Sequence, residues 1–200
     1  MDIIIDKART YATAAHGAVG QRRKYTNEPY ITHPTAVAEL VRAHGGTRDM
    51  IAAAYLHDVI EDTQLTFDDL KEAFGESIAW KVDALTNKAG KEDGNRVQRF
   101  VINCRGLINS LDEETMVIKL CDLLHNTSSI VEHDHGFAAI YLAEKEFMMD
   151  EIFGLMEGGL ADIVRAKLVW GYEQLSTSFK ARHLKHLRTI QTAWSEQDAA

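Results

Sequence analysis

The stretch AAAYLHDVIED, at residues 52–62, is helical in composition and ends with four titratable side chains within six positions. In a helix that turns about 100° per residue, His57 shares a face with Glu61, and Asp58 shares a face with Asp62. Burying these groups beside alanine and leucine is costly unless a ligand neutralises them, and a divalent metal with a phosphorylated substrate would do so. The alternative is that Glu61 and Asp62 are solvated at a helix C-terminus, where the helix dipole disfavours acidic groups.

The same helical periodicity extends over most of the chain, and no stretch of alternating β-branched residues indicates a strand. Thr47 and Thr66 are expected to be N-caps, and residues 17–32 are expected to form a loop. The sequence therefore predicts an all-α protein. The predicted helices are 2–16, 34–43, 47–60, one that begins at 66, 77–85, 95–110, 113–126, 137–156 and 160–190.

The chain has 200 residues, of which 46% are hydrophobic and 26% charged, so it can bury a core and is expected to form one domain over residues 1–200. Its two cysteines are too few for a disulfide framework and favour a reducing compartment. It has no apolar run of about 20 residues and no signal-peptide pattern at the start. These features predict a cytoplasmic protein that does not associate with a membrane.

The charge balance narrows the class of ligand. With 22 basic and 30 acidic residues the net charge is −8, which argues against nucleic-acid binding. The segment Gln21-Arg22-Arg23-Lys24 nevertheless concentrates three positive charges in the predicted loop. A small phosphorylated ligand is compatible with such a local basic patch.

Two further residues complete a candidate metal site. His33 precedes Pro34 at a junction between loop and helix, and Asp122 lies in the otherwise apolar helix 116–125. Each alone is more typical of an ordinary loop or exposed residue. With His57 and Asp58 they supply two imidazoles and two carboxylates, a ligand set suited to Mn, Fe, Zn or Mg.

A second His-Asp dipeptide competes with the first. The run Glu132-His133-Asp134-His135 is expected to be a solvated loop between helices, without the rigid support that a metal site requires. The remaining histidines are expected to be capping, core-edge or surface residues: His16, His44, His125, His183 and His186.

In order along the chain, His33, His57-Asp58 and Asp122 match the metal-ligand signature of the HD phosphohydrolase superfamily. The chain more specifically resembles the hydrolase domain of RelA/SpoT-type alarmone enzymes and their small hydrolase-only members, similar to the metazoan SpoT homologue. The matching segments are HGAVGQRRKYTNEPYITHP (16–34), AAAYLHDVIEDT (52–63) and KLCDLLHN (119–126). The resemblance implies an HD-type helical bundle with its motif-bearing core at about 1–130 and helices 137–190 packed on it.

The resemblance also implies an activity, namely hydrolysis of the 3′-pyrophosphate of ppGpp or pppGpp, alarmones of the stringent response. The products are GDP or GTP and pyrophosphate, and the usual metal is Mn²⁺, although another divalent metal is possible. It implies that Glu61 and Asp62 orient or deprotonate the attacking water. The implied metal ligands are His33, His57, Asp58 and Asp122, and the implied substrate contacts are Arg23, Lys24, Lys88 and Asn126.

Several positions depart from the family pattern. Leu123 and Ser128 replace basic residues, and residues 24–29 carry one more residue than the common bacterial loop. The family's VTK(L) segment appears as Leu85-Thr86-Asn87-Lys88, so Lys88 is displaced by one position. These departures affect substrate contacts and leave the metal ligands intact.

Two alternatives therefore stay open. The first is an HD phosphohydrolase that acts on another nucleotide, such as the 2′-phosphate of NADPH. The second is a non-catalytic nucleotide-binding HD module, which the intact Glu61-Asp62 pair argues against. The sequence leaves the oligomeric state open, since the apolar residues of the C-terminal helix suit a core or an interface equally. Those residues are Ile163, Ala166, Val169 and Trp170.

Overall fold

The computed structural model describes residues 2–110, 112–154 and 159–198. Within these ranges the regular secondary structure is helical, and an isolated bridge between Arg22 and Pro29 is the one β pairing. The prediction of an all-α protein is therefore confirmed. None of the described helices is long and apolar enough to cross a membrane.

The chain divides into two compact units. The first comprises the residues up to Asn87 together with Ser110–His125, and the second comprises Lys88–Asn109 and the residues from Asn126 onward. Whether both units form the single domain expected over residues 1–200 stays a prediction.

The first unit contains every candidate metal ligand and the acidic pair. Its helices are α1 (Ile3–Ala18), α2 (Thr32–Ala43), α3 (Arg48–Leu56), α4 (Val59–Asp62), α5 (Phe67–Phe74) and α6 (Glu76–Leu85), together with the first part of α8 (Glu113–His133). Helix α1 includes Gly17 and Ala18, and α2 begins at Thr32, so the predicted loop is shorter at both ends.

Helix α3 lies at the centre of the first unit. All of its residues from Met50 to Leu56 are buried, and it packs against α1, α2 and α6. The alanines at 52–54 are fully buried and carry only a methyl group, so neighbouring helices can approach the backbone closely. This packing holds the C-terminal end of α3, where the site begins, in a rigid surrounding.

The two predicted N-caps are confirmed. The Thr47 hydroxyl accepts a hydrogen bond from the backbone N–H of Met50, and the Thr66 hydroxyl accepts one from Asp69. The Asp69 carboxylate accepts the Thr66 N–H in return, which completes a capping box. These caps fix where α3 and α5 begin.

The predicted continuous helix 47–60 is wrong, because the chain breaks at His57-Asp58. Helix α3 ends at Leu56, and α4 starts at Val59 after a turn. The cause is local, since Nδ1 of His57 lies 2.8 Å from the Ala54 carbonyl oxygen. In a continuous helix that carbonyl would accept the N–H of Asp58, so the imidazole competes with the backbone for it.

The second unit contains the remaining helices around its own core. They are a short 3₁₀ helix (Lys91–Asp93), α7 (Arg96–Ser110), the end of α8, α9 (His135–Glu151), α10 (Gly159–Glu173) and α11 (Thr177–Asp198). Helix α9 packs against α10 and α11. Val101, Phe147 and Ile190 form a buried cluster, with Trp194 packed against it.

Three predictions for this unit are wrong in detail. The helix predicted over 160–190 is interrupted at 174–176, where the Ser176 hydroxyl accepts a hydrogen bond from the Phe179 N–H as a helix cap. Helix α8 continues to His133, beyond the predicted end at 126. The predicted loop at 132–135 is a junction of one residue, Asp134, whose carboxylate accepts the Phe137 N–H at 2.9 Å.

Two other expectations concern helices α9 and α10. Helix α9 ends at Glu151, and the predicted end at Met156 lies outside the described residues. On α10, Ile163 is 45% exposed and Val169 is 58% exposed, so these two residues do not serve a core.

An ion pair between a half-exposed arginine and a buried carboxylate connects α7 to α9 within the second unit. The Arg96 guanidinium donates to both carboxylate oxygens of Glu144, at 2.7 and 2.8 Å, and Nε2 of His186 lies 3.3 Å from the same carboxylate. Burial raises the pKa of Glu144, but hydrogen bonds from His186 and Arg96 outweigh it and hold the pKa below its ordinary value.

We expect Arg96→Met to destabilise the protein by about 2 kcal/mol at pH 7, because it removes the guanidinium that engages both oxygens of a buried carboxylate. A carboxylate with a lowered pKa stabilises the folded state above its unfolded pKa and ceases to do so as the pH falls through the folded value. The difference from wild type should therefore shrink at pH 3, as measured by guanidinium denaturation. Arg188→Met, at an exposed position on α11, is the control, and an equal loss at both pH values would contradict the assignment.

Candidate metal centre and acidic pair

Three separate segments of the first unit bring four potential ligands together. His33 lies in the first turn of α2, His57 and Asp58 form the turn between α3 and α4, and Asp122 lies on α8. Ligand atoms of His33, His57 and Asp58 all lie within 4.8 Å of one another. Oδ1 of Asp122 lies 3.3 Å from Nε2 of His33 and 3.8 Å from Nε2 of His57.

The ring of His57 is oriented by the same contact that ends α3. Its Nδ1–H donates to the Ala54 carbonyl, which in the neutral ring leaves the lone pair on Nε2. That Nε2 atom is buried and has no hydrogen-bond partner among the described residues, and it lies 3.1 Å from Oδ2 of Asp58. A buried acceptor without a hydrogen bond, directed at two carboxylates, fits a metal ligand.

His33 is held by a second histidine that the sequence analysis assigned to no site. The Nδ1 atoms of His33 and His125 lie 2.8 Å apart, so one ring donates and the other accepts. Burial and the neighbouring charge of His33 lower the pKa of His125 to about 4, so His125 stays neutral at pH 7. A neutral His125 can accept the proton on Nδ1 of His33, which leaves Nε2 of His33 free to bind a cation.

The two carboxylates of the cluster have their own partners. The Tyr30 hydroxyl donates to Oδ2 of Asp58 at 2.5 Å, and Nζ of Lys119 lies 3.2 Å from Oδ2 of Asp122. Burial raises the pKa of Asp58, but the neighbouring charge of a protonated His57 outweighs it and lowers the pKa overall. For Asp122, Lys119 and His33 likewise overcome burial and hold the pKa well below its ordinary value.

These donors fit a divalent cation. Two atoms bound about 2.1 Å from one tetrahedral ion lie about 3.4 Å apart, close to the distances between the imidazole nitrogens and the carboxylate oxygens here. Burial raises the pKa of the adjacent Cys121 thiol to about 12, so it remains protonated and is a poor ligand. The available set therefore contains nitrogen and oxygen donors, which suit Mn, Fe, Zn or Mg.

The acidic pair Glu61 and Asp62 lies at the end of α4, and both side chains are exposed. Asn87 donates to both oxygens of Glu61 at 3.0–3.1 Å, and Nε2 of Gln21 donates to Oδ2 of Asp62 at 2.8 Å. Partial desolvation raises the pKa of Glu61, and the hydrogen bonds from Asn87 oppose this rise. A carboxylate of increased basicity at an accessible position is suited to accept a proton.

The predicted substrate contacts fall in both units. Arg23 and Lys24 belong to the first unit, where the Arg23 guanidinium lies 5.9 Å from the centre of the Tyr30 ring and Lys24 is exposed. Lys88 is exposed and is the first residue of the second unit. Asn126 follows His125 on α8, and the second segment of the second unit begins with it. Their roles as substrate contacts stay predictions.

Sequence reasoning missed three residues that touch the candidate ligands: Tyr30, Lys119 and His125. The last two lie three positions before and after Asp122 and therefore share its face of α8. That spacing was a usable signal. Tyr30 offered none, because its contact with Asp58 spans 28 positions of the chain.

This arrangement of histidine and aspartate ligands on a helical scaffold defines a class of protein. The model of the HD domain family matches residues 8–145, which is more than half of the 200-residue chain. The protein therefore belongs to the HD domain family.

Individual relatives show which members of the HD domain family the chain is similar to. The chain is 41% identical over 128 residues to a guanosine-3′,5′-bis(diphosphate) 3′-pyrophosphohydrolase of Aquifex aeolicus, a match covering 63% of this chain and 18% of the relative. It is 40% identical over 113 residues to the protein of that name from Haemophilus influenzae, covering 56% of this chain and 16% of the relative. The chain thus spans less than a fifth of these relatives. The resemblance to alarmone hydrolases is confirmed.

The fold also resembles a solved structure along most of its length. A structure described as a metazoan ortholog of SpoT that hydrolyzes ppGpp matches with a TM-score of 0.61 and 19% identity. The match covers 94% of this chain and 96% of that one, so the two proteins share a fold.

We expect His125→Phe to weaken Mn²⁺ binding about 10-fold, because a phenyl ring cannot accept the Nδ1 proton of His33. His125→Gln, which retains an acceptor, should recover part of this loss. Isothermal titration of the metal-free protein with Mn²⁺ measures both effects, and His44→Gln, an exposed position at the end of α2, is the control. Unchanged affinity in His125→Phe would rule out this role.

Proposed function

We propose that this protein is a metal-dependent hydrolase that removes the 3′-pyrophosphate of ppGpp or pppGpp. The observation that carries the proposal is the proximity of four ligands, His33, His57, Asp58 and Asp122, in a chain that resembles proteins named for this reaction. We propose Mn²⁺ as the metal. We also propose a cytoplasmic location, since two cysteines are too few for a disulfide framework and suit a reducing compartment.

The four ligands would hold the ion in the first unit, where three of the donor residues are almost completely buried. When bound, a divalent ion supplies Lewis-acid activation and positive charge that offsets the charge of the phosphates. Burial of the ligands limits competition from solvent and keeps the donors in place.

The reaction adds water to the phosphorus attached to the ribose 3′ oxygen. The bond between that phosphorus and the 3′ oxygen breaks, and pyrophosphate and the 3′-hydroxyl nucleotide leave. We propose that Glu61 and Asp62 orient the water and accept its proton, for which their exposure at the end of α4 makes them available. The leaving 3′ oxygen takes up a proton and becomes the hydroxyl group.

The basic residues of the first unit would bind the substrate phosphates. Arg23 offers a planar set of N–H donors that matches a phosphate in two-point contact, and Lys24 adds a point charge beside it. Lys88 and Asn126 are proposed as further nucleotide contacts on the basis of their match to the family segments.

A second substrate is favoured by one specific observation. Leu123 replaces a basic residue of the family pattern and is only 1% exposed, so this position contributes apolar packing and no charge. The absence of this positive charge suits a nucleotide with fewer phosphates than ppGpp, such as NADPH with its 2′-phosphate. This candidate shares the metal site and the acidic pair.

The decisive experiment offers ppGpp, pppGpp and NADPH in parallel to purified protein with Mn²⁺ and measures the release of pyrophosphate and phosphate. We expect pyrophosphate from ppGpp, and no product with a chelator or with Asp58→Ala, because each removes the metal. Phosphate from NADPH alone would select the second substrate. Absence of product from every nucleotide would favour a non-catalytic binding module.

We further expect Arg23→Ala to raise the KM for ppGpp about 10-fold or more, because it removes a charged hydrogen-bond donor to phosphate. Mn²⁺ affinity should stay at the wild-type value, since Arg23 is not a ligand. Arg48→Ala, an exposed arginine at the start of α3, is the matched control. A wild-type KM in Arg23→Ala would exclude this phosphate contact.

A further inference from the structure

Each member of the acidic pair is held by one carboxamide side chain. Glu61 accepts three hydrogen bonds from Asn87, two from the side-chain Nδ2 at 3.0 and 3.1 Å and one from the backbone N–H at 3.1 Å. Both oxygens of Glu61 are therefore engaged. The orientation of the Glu61 carboxylate is therefore fixed by a residue that lies two positions after Leu85, the last residue of α6.

Asp62 is held through a chain of two hydrogen bonds. Nε2 of Gln21 donates to Oδ2 of Asp62 at 2.8 Å, and Oε1 of Gln21 lies 2.7 Å from Nδ1 of His16. Because an amide oxygen can only accept, Nδ1 of His16 carries the proton in this contact. His16 is 1% exposed and so fixes which end of the Gln21 amide faces the carboxylate.

The two holding residues are neutral, and this suits a pair that must accept a proton. A lysine or arginine in the same place would lower the basicity of the carboxylate through its charge, whereas an amide orients the group with a smaller effect. The charged groups that act on Glu61 are Asp58 and Lys119, which have opposite signs. Asp62 has one oxygen, Oδ1, that accepts no hydrogen bond from the described residues.

Asn87 also lies in one of the segments that depart from the family pattern. In the segment Leu85-Thr86-Asn87-Lys88 it stands directly after the threonine, the place that the lysine takes in VTK(L). The residue that takes this place is thus the one that contacts Glu61.

We propose that Asn87 and Gln21 are positioning residues for the hydrolytic carboxylates. Asn87 holds Glu61 in place. Gln21, which is aligned by His16, orients Asp62. This inference rests on the proposed function, because it concerns the geometry of the acidic pair during hydrolysis. Neither residue touches the metal ligands in the contacts described, so both should act on turnover and leave metal affinity unchanged.

The first test replaces Asn87. We expect Asn87→Ala to lower kcat for ppGpp about 10-fold with an unchanged KM, and to raise the pKa of Glu61 because two hydrogen bonds to its ionised form are lost. Asn87→Asp should raise the pKa further by placing a second carboxylate against the first. The pKa is measured by ¹³C NMR of labelled glutamate carboxylates, with the Glu61 signal assigned from Glu61→Gln. Asn109→Ala, an exposed asparagine at the end of α7, is the control.

The second test replaces Gln21. We expect Gln21→Met, which keeps the side-chain length but cannot donate, to lower kcat about 10-fold with KM and Mn²⁺ affinity unchanged. Gln21→Asn is too short to span the same distance and should not restore activity. Gln191→Met, at an exposed position on α11, controls for the substitution itself.

The outcomes separate this proposal from the proposed function. A raised Glu61 pKa together with a lower kcat in the Asn87 variants supports the positioning role of Asn87. An unchanged Glu61 pKa in both Asn87 variants overturns it, whether or not the wild type hydrolyses ppGpp. Wild-type kcat in Asn87→Ala and Gln21→Met would also overturn it. If the wild type fails to hydrolyse ppGpp while the pKa still rises, the positioning role of Asn87 is supported and the substrate is rejected.

Discussion

The hydrogen bond from His57 to the Ala54 carbonyl is the contact on which the site depends. It takes the acceptor that a continuous helix would give to the Asp58 N–H, so the helix ends and the chain turns at His57-Asp58. It also fixes the imidazole tautomer and leaves the Nε2 lone pair directed at two carboxylates. One side-chain contact therefore ends a secondary structure element and prepares a ligand. Such an arrangement requires rigid support, which the buried stretch of α3 from Met50 to Leu56 provides.

The other candidate ligands follow the same principle of support from a neighbour. His33 is oriented by a neutral His125, Asp58 by the Tyr30 hydroxyl and Asp122 by Lys119. Since these partners come from several parts of the first unit, the donors are in place only when that unit is folded. These hydrogen bonds offset part of the free-energy cost of bringing two carboxylates and two imidazoles together, and a bound cation would offset the rest.

How much of the fold and of the candidate site could be predicted from the sequence depends on how far apart in the chain the interacting residues lie. Thr47 and Thr66 predicted helix starts correctly because N-capping depends on residues close together in the sequence. The motifs at 16–34, 52–63 and 119–126 could be recognised because each is a short continuous segment. The helix break at His57 was missed because the competing acceptor is set by a ring orientation that periodicity does not encode. His125 was assigned to no site because its partner His33 lies 92 positions away. Only the spacing from Asp122 could have indicated it.

The burial of the site residues divides them into two groups with different tasks. His33, His57 and Asp122 are nearly inaccessible, whereas Glu61 and Asp62 are exposed. Buried donors are suited to retain an ion through many cycles, because water competes poorly for it. Exposed carboxylates are suited to meet a substrate and a water that arrive from solvent and leave again. An exposed carboxylate, however, has many rotamers, and a proton acceptor works only within hydrogen-bonding distance of its proton. Orientation by Asn87 and Gln21 resolves this conflict, since two neutral amides restrict the carboxylates without burying them.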